Sequence, residues 1–190
     1  MEGTIPVGTV DFSYEDTNLK VSFGAVKVHR GTIELPVTFT GSVSAGFAFT
    51  VTNDKETRAI LAGVSEGWTL SEKTVTCVDP TKALTLQFTA VENNKIVDPG
   101  NCTIALDDCI ASVGVLVGQT TGTVQITAAG DIDGNGKING RDVLLLAQYQ
   151  TDKTKTVVLG SADVDGNNKN NGRDVLLLAQ YQTNKTLTIY

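Results

Sequence analysis

The sequence predicts a multi-domain chain: an all-β, jelly-roll-like sandwich over residues 1–129, then a small α-helical module of two loop-and-helix units over residues 130–190. Three observations predict it. Apolar residues alternate with polar ones along most of the first 129 residues. The stretch DIDGNGKINGRDVLLLAQYQT at 131–151 returns as DVDGNNKNNGRDVLLLAQYQT at 163–183, with three differences in 21 positions. Gly130 marks an abrupt change from the strand period to the repeat, with almost no linker.

In the first part, Leu19, Val21 and Phe23 share one side of an extended segment, as do Ile33, Leu35, Val37 and Phe39, then Phe47, Phe49 and Val51, Leu84, Leu86 and Phe88, and Val124 and Ile126. That is the period of half-buried strands. Polar or Gly/Pro connectors at Arg30-Gly31, Gly41-Ser42, Asn53-Asp54, Asn93-Asn94 and Pro99-Gly100 separate them. Many short strands with polar turns and no long helix make a sandwich or jelly roll. A platform for polysaccharide would need a row of exposed aromatics. Trp68, Tyr14 and a few Phe are available, and the Phe residues fall at inward positions that read as core.

An internal repeat at an offset of 32 residues demands its own explanation. Each copy sets oxygen-bearing side chains at the first, third, fifth, ninth and twelfth places of a loop: Asp131, Asp133, Asn135, Asn139 and Asp142, then Asp163, Asp165, Asn167, Asn171 and Asp174. This is the spacing of an EF-hand calcium loop, which curls so that nearby residues supply the 6 to 8 oxygens a hard cation of this size requires. The backbone carbonyls of Lys137 and Lys169 at position seven complete the expected set, with Asn139 and Asn171 acting through water. Two calcium ions are expected. Position six must turn sharply, which suits Gly136; Asn168 takes that place in the second copy and is among the few non-glycine residues that enter the left-handed region readily. Asp stands at position twelve instead of the usual Glu, so the following helix must lie closer to the ion. Ile138 at position eight becomes Asn170 in the second copy, and the second site is expected to bind more weakly. A single Asp/Asn/Gly run would read as a solvated hairpin turn, but two copies with the same oxygen positions make that reading poor. A purely structural calcium clamp stays open, since metal bound only by the folded state stabilises it by about 2.7 kcal/mol at 100 times its Kd.

An EF-hand is helix, loop, helix. Here GTVQITAAG (122–130) and KTKTVVLGSA (153–162) do not read as entering helices, and only exit helices are expected, over Val143–Gln150 and Val175–Gln182. Val143 with Leu146, and Val175 with Leu178, have the spacing of a buried face. Four consecutive apolar residues, Val143 to Leu146, cannot all be buried in so small a module. The surplus leucines are expected to face outward or to touch the sandwich.

Two such loops, each followed by one helix, resemble a dockerin, the module that plugs proteins into the cohesins of a cellulosome-type scaffold. The resemblance implies a calcium-dependent, noncatalytic assembly protein of a polysaccharide-degrading complex, secreted or at the surface of a bacterium, with a cohesin as partner. By position it implies a partner face of Gly140, Arg141, Leu144, Leu145, Ala147 and Gln148, with Gly172, Arg173, Leu176, Leu177, Ala179 and Gln180 as its copy. Many dockerins carry Ser-Thr at loop positions ten and eleven. Gly-Arg here implies a different cohesin specificity, with an arginine available for a carboxylate. Identity of the two faces implies docking in two orientations about 180° apart, unless the duplication is merely recent. Within the sandwich, ELPVTFTG (34–41), AGFAFTVTND (45–54) and the GVSEG turn (63–67) resemble a cohesin or the related carbohydrate-binding sandwiches. That implies an adaptor between docking specificities or an accessory module, with a dockerin or a polysaccharide as a further partner; the alternative is a carbohydrate-binding module delivered by its dockerin.

Composition narrows the classes. The net charge is −6, and residues 1–130 hold 14 acids against 8 bases, the opposite of a basic nucleic-acid footprint. No apolar run is long enough to span a membrane. MEGTIPVGTV does not read as a secretory signal, so a secreted protein would be represented by its mature or a shortened form. One histidine, His29, leaves little for acid–base chemistry, and no enzyme is expected. Cys77, Cys102 and Cys109 read either as one bridge and a free thiol or as three free thiols.

Overall fold

The structure, a computed structural model, describes residues 19–110, 116–118 and 120–190. Tyr14 and the MEGTIPVGTV segment lie outside them. The strands are β1 (Leu19–Phe23), β2 (Val26–Val28), β3 (Thr32–Thr40), β4 (Ala48–Asn53), β5 (Ala59–Val64), β6 (Trp68–Ser71), β7 (Thr74–Cys77), β8 (Leu84–Ala90), β9 (Glu92–Asn93), β10 (Ile96–Val97), β11 (Gly100–Ile110), β12 (Leu116–Gly118) and β13 (Thr121–Ile126). They are followed by helices α1 (Gly140–Thr151) and α2 (Gly172–Thr183), with a 3₁₀ turn at Leu159–Ala162 between them.

Two sheets carry the strands, one ordered β12-β1-β3-β8-β5 and the other β2-β13-β11-β4-β7-β6. All pairs within them are antiparallel except β1 with β12 and β2 with β13, which are parallel. The expected alternation is plain in β3, where Ile33, Leu35 and Val37 are buried between exposed neighbours, and in β8, where Leu84, Leu86 and Phe88 are buried. Period-2 side chains from both sheets thereby meet in one core. Phe39, Phe47, Phe49 and Trp68 form an aromatic group at one end, with Phe39 stacked on Trp68 at 5.8 Å between ring centroids. The Trp68 indole N–H, as burial requires, donates to the Lys82 carbonyl at 3.1 Å. Trp68 is therefore core, as Phe47, Phe49 and Phe88 are. The three cysteines are free. Cys77 and Cys102 are buried, and burial together with Asp107 and Asp108 pushes the Cys109 thiol up to about 11.

A separate core lies in the C-terminal part, built from Ile132, Leu146, Ala162, Val164 and Leu178, with Ile138, Val143, Leu145, Val175, Leu177 and Ile189 packed around it. The helices begin three residues before the expected Val143 and Val175, because Asn139 and Asn171 act as N-caps and draw Gly140, Arg141 and their copies into the first turn. Leu145 and Leu177 turn inward, whereas Leu144 and Leu176 stand 58% and 59% exposed. Of the two expected dispositions, Leu144 and Leu176 thus take the outward one and do not join the two parts. Polar groups do: Thr127 and Ser161 share a buried hydroxyl–hydroxyl bond at 2.7 Å.

His29 sits at this junction, fully buried, its Nδ1 2.6 Å from the Thr127 carbonyl and its Nε2 facing the Tyr190 backbone without a good hydrogen bond. Burial holds its pKa below the ordinary histidine value, with the Arg30 charge adding to it and the Thr127 carbonyl opposing. The unfolded chain therefore binds the proton first as pH falls, and the contribution of His29 to stability, complete above about pH 6.5, is lost below it. Melting wild type and His29→Gln at pH 7.5 and pH 5.5 tests this: the wild type is expected to lose more stability between the two than the variant, and equal losses would contradict the assignment.

Candidate functional site

Each repeat begins with a loop whose backbone is wound around its own carboxylates. Asp131 Oδ1 accepts from Asn135 N at 3.0 Å and Oδ2 from Gly136 N at 2.9 Å. Asp133 Oδ1 accepts from Asn135 N, and Asn135 Oδ1 from Lys137 N. The chain can turn this tightly because Gly134 and Gly136 hold φ of 66° and 83°, values glycine reaches without steric cost. In the second loop Asn168 takes the expected left-handed conformation, with φ 62°, and its N–H donates to Asp163 Oδ2 at 2.9 Å. The remaining bonds repeat those of loop one within 0.1 Å.

Position twelve closes the ring. Asp142 is fully buried; its Oδ1 accepts from Ile132 N at 2.9 Å and Asp133 N at 3.3 Å, and its Oδ2 from Asn139 N at 2.9 Å. Asp174 does the same with Val164, Asp165 and Asn171. One carboxylate thereby ties the start of the loop to the start of the helix. Asn139 accepts from Arg141 N, forming a capping box with Asp142. This capping role was legible in the Asn-x-x-Asp spacing before an apolar run, and the reading of Asn139 as a water-mediated ligand passed over it.

Among the described residues, Asp131, Asp133 and Asp142 offer oxygens within 4.8 Å of one another, and so do Asp163, Asp165 and Asp174. Burial, with the charges of Asp142 and Asp133, pushes the Asp131 carboxyl above its ordinary value despite the two backbone N–H bonds it accepts. Three carboxylates crowded this way, all oxygen donors, fit a hard divalent cation. The side chains of Lys137 and Lys169 are exposed, and only their backbone N–H groups take part in the loops' hydrogen bonds. Ile138 packs on the C-terminal core, whereas Asn170 accepts from Gln150 Nε2 at 2.7 Å and leaves its own buried amide N–H₂ unpartnered.

The expected partner face is presented twice in the same form. Arg141 Nε pairs with Asp133 Oδ2 at 3.2 Å and Arg173 Nε with Asp165 Oδ2 at 3.0 Å, with both arginine side chains three-quarters exposed. Gly140, Leu144 and Gln148 are exposed beside Arg141, and Gly172, Leu176 and Gln180 beside Arg173. Leu145, Ala147, Leu177 and Ala179 are half-buried and contribute only their edges, so each face is narrower than six residues.

These features define a module of two acid-lined loops, each closed by a carboxylate onto the cap of one exposed-faced helix. Residues 129–181 match the model of the dockerin type I domain. No curated protein matches the chain. Among solved structures, the crystal structure of CBD12 from CALX1.2 is similar at 14% identity and a TM-score of 0.39; the match covers 56% of this chain and 44% of that one, so the chain spans less than half of its length.

Asp142→Ala is expected to lower stability by about 1–3 kcal/mol even in chelator, because the buried Ile132 N–H loses its acceptor and the helix its capping box. In calcium the loss should be larger. Thermal melts of wild type and variant in chelator and in calcium check this; an unchanged calcium-induced gain in melting temperature would remove Asp142 from the first metal site.

Proposed function

We propose that the chain is a noncatalytic assembly protein of a cellulosome-type polysaccharide-degrading complex, divided near residues 129 and 130 into a β-sandwich module and a calcium-loaded dockerin that docks on a cohesin. The observation that carries this reading is the buried Asp at loop position twelve, present twice, inside the segment that matches the dockerin type I domain. Each loop would hold one calcium ion through Asp131, Asp133, Asn135 and Asp142, or Asp163, Asp165, Asn167 and Asp174, with the Lys137 and Lys169 carbonyls completing the shell. Calcium supplies the positive charge that three adjacent carboxylates lack. The chain's own residues do the rest: Asp131 and Asp142 wind the loop, and Asp142 passes that order to the cap of α1, so that Arg141, Leu144 and Gln148 stand in fixed relation. The second loop acts in the same way on Arg173, Leu176 and Gln180. Cellulosome components work outside the cell, and a secreted or cell-surface location follows from the same reading; no described helix is long and apolar enough to cross a membrane.

For the sandwich, an adaptor or accessory role is the leading reading. A second reading, polysaccharide binding, draws on an open groove of about 290 Å³ beside Phe39, Trp68 and Lys82. Trp68 is only 7% exposed and stacked against Phe39, which leaves a sugar little of its ring to contact.

Calorimetric titration of the intact chain against a panel of cohesins, in calcium and in chelator, tests the docking. Tight one-to-one binding to one cohesin in calcium, lost in chelator, is expected; silence across a broad panel would make the loops a structural clamp. Arg141→Ala or Arg173→Ala alone should weaken that binding about twofold or less, since the other face substitutes, and the pair together should abolish it. Abolition by one substitution would refute the two-orientation reading.

A further inference from the structure

The two loops are also gripped from outside, by the sandwich. Position four is glycine in both copies, and both glycines are buried with left-handed backbones, φ 66° at Gly134 and 68° at Gly166. Lys27 Nζ, on β2, donates to the Gly134 carbonyl at 2.9 Å; Lys95 Nζ donates to the Gly166 carbonyl at 2.9 Å. Unrelated parts of the sandwich thus make the same bond to the same loop position. Arg30 Nη2 adds bonds to the Asp163 carbonyl at 3.2 Å and the Tyr190 carbonyl at 2.8 Å. A Cβ on Gly134 would stand 3.1 Å from Lys27 Cδ, and one on Gly166 3.1 Å from Tyr190 Cβ, so these glycines serve close approach as well as the turn.

Lys95 is singled out by its backbone too. β9 and β10 form a two-residue hairpin, separate from both sheets, whose turn residues Asn94 and Lys95 have φ of 51° and 68°. The second place of such a turn ordinarily holds glycine. A lysine there bears a steric cost that glycine would not, and the hairpin itself does not call for one. Its reach to loop two does.

We propose that Lys27, Lys95 and Arg30 form a joint that recognises the closed form of both loops, so that calcium fixes the sandwich and the dockerin into one rigid body. The inference rests on the calcium reading above. The bonds that close each loop run to the backbone N–H groups just beyond position four, Asn135 and Gly136 in one copy and Asn167 and Asn168 in the other. Closure therefore sets the direction of the position-four carbonyl, and a loop that opens withdraws the acceptor. Whatever favours the closed loop favours the joint, by linkage. The joint leaves both helix faces open, since Leu144 and Leu176 are equally exposed.

The test uses the intact chain with calcium alone as ligand. Calorimetric titration counts bound calcium, and NMR relaxation gives a tumbling time for each part. Wild type is expected to show one common tumbling time in calcium and two in chelator. Lys27→Met with Lys95→Met should lose the common time in calcium while still taking up the ion, and Lys27→Arg with Lys95→Arg should keep it. If the wild type takes up no calcium, the titration shows that the loop reading has failed and the joint falls with it. If it takes up calcium yet tumbles as one body in chelator, or if the methionine pair stays as rigid as wild type, the joint alone is overturned.

Discussion

A buried carboxylate at the helix start is the constraint on which the C-terminal part depends. Asp142 and Asp174 have no exposed surface, and an ionised carboxyl in that position survives only if its oxygens are satisfied. Each meets the demand with three backbone N–H groups, two from the loop's beginning and one from the helix cap. This folds a dozen residues into a ring and aims the helix. Only five buried apolar residues form the core beneath, too few to hold two helices by packing alone. The loops therefore act as structural cross-braces, and on the proposed calcium reading the same bonds shape the ion sites, so a change that relaxes one relaxes the other.

The sandwich is held differently. Its core draws side chains from both sheets, and the aromatic end around Phe39, Phe49 and Trp68 is filled by ring-to-ring contacts. Its ion pairs, such as Arg58 with Asp98, lie at the surface outside that core. Across the boundary the hydrogen bonds come from lysine, arginine and hydroxyl groups, while apolar residues such as Pro99 and Ile189 line a cleft between the parts.

Much of this was legible in the sequence because it rests on local spacing. The strands over Ile33–Phe39 and Leu84–Phe88 follow from alternation, and the acid clusters follow from loop positions one, three and twelve. The left-handed turn at Asn168 follows from the residues able to make it. Helix starts were missed by three residues because Asn139 and Asn171 were weighed as ligands and not as caps. The lysine contacts across the junction were not foreseen for a deeper reason. Lys27 and Gly134 are 107 residues apart, and Lys95 and Gly166 are 71 apart. No period or motif links them, and an exposed lysine in a sequence reads the same whether it meets water or a carbonyl. Helix phase decides the leucines at 144 and 176: four consecutive apolar residues could not all be covered, and these two are the ones it places outside.

The equal exposure of Leu144 and Leu176 has a geometric consequence once the junction is counted. A flexible tether would let the sandwich wander to the same places whichever helix face engaged a cohesin. A fixed one does not. On the reading proposed here, exchanging one face for the other swings the whole sandwich through about half a turn, so a single attachment point on a scaffold offers two distinct addresses for it. Neighbouring proteins on a crowded scaffold could then choose between those addresses by simple exclusion, without any change in affinity.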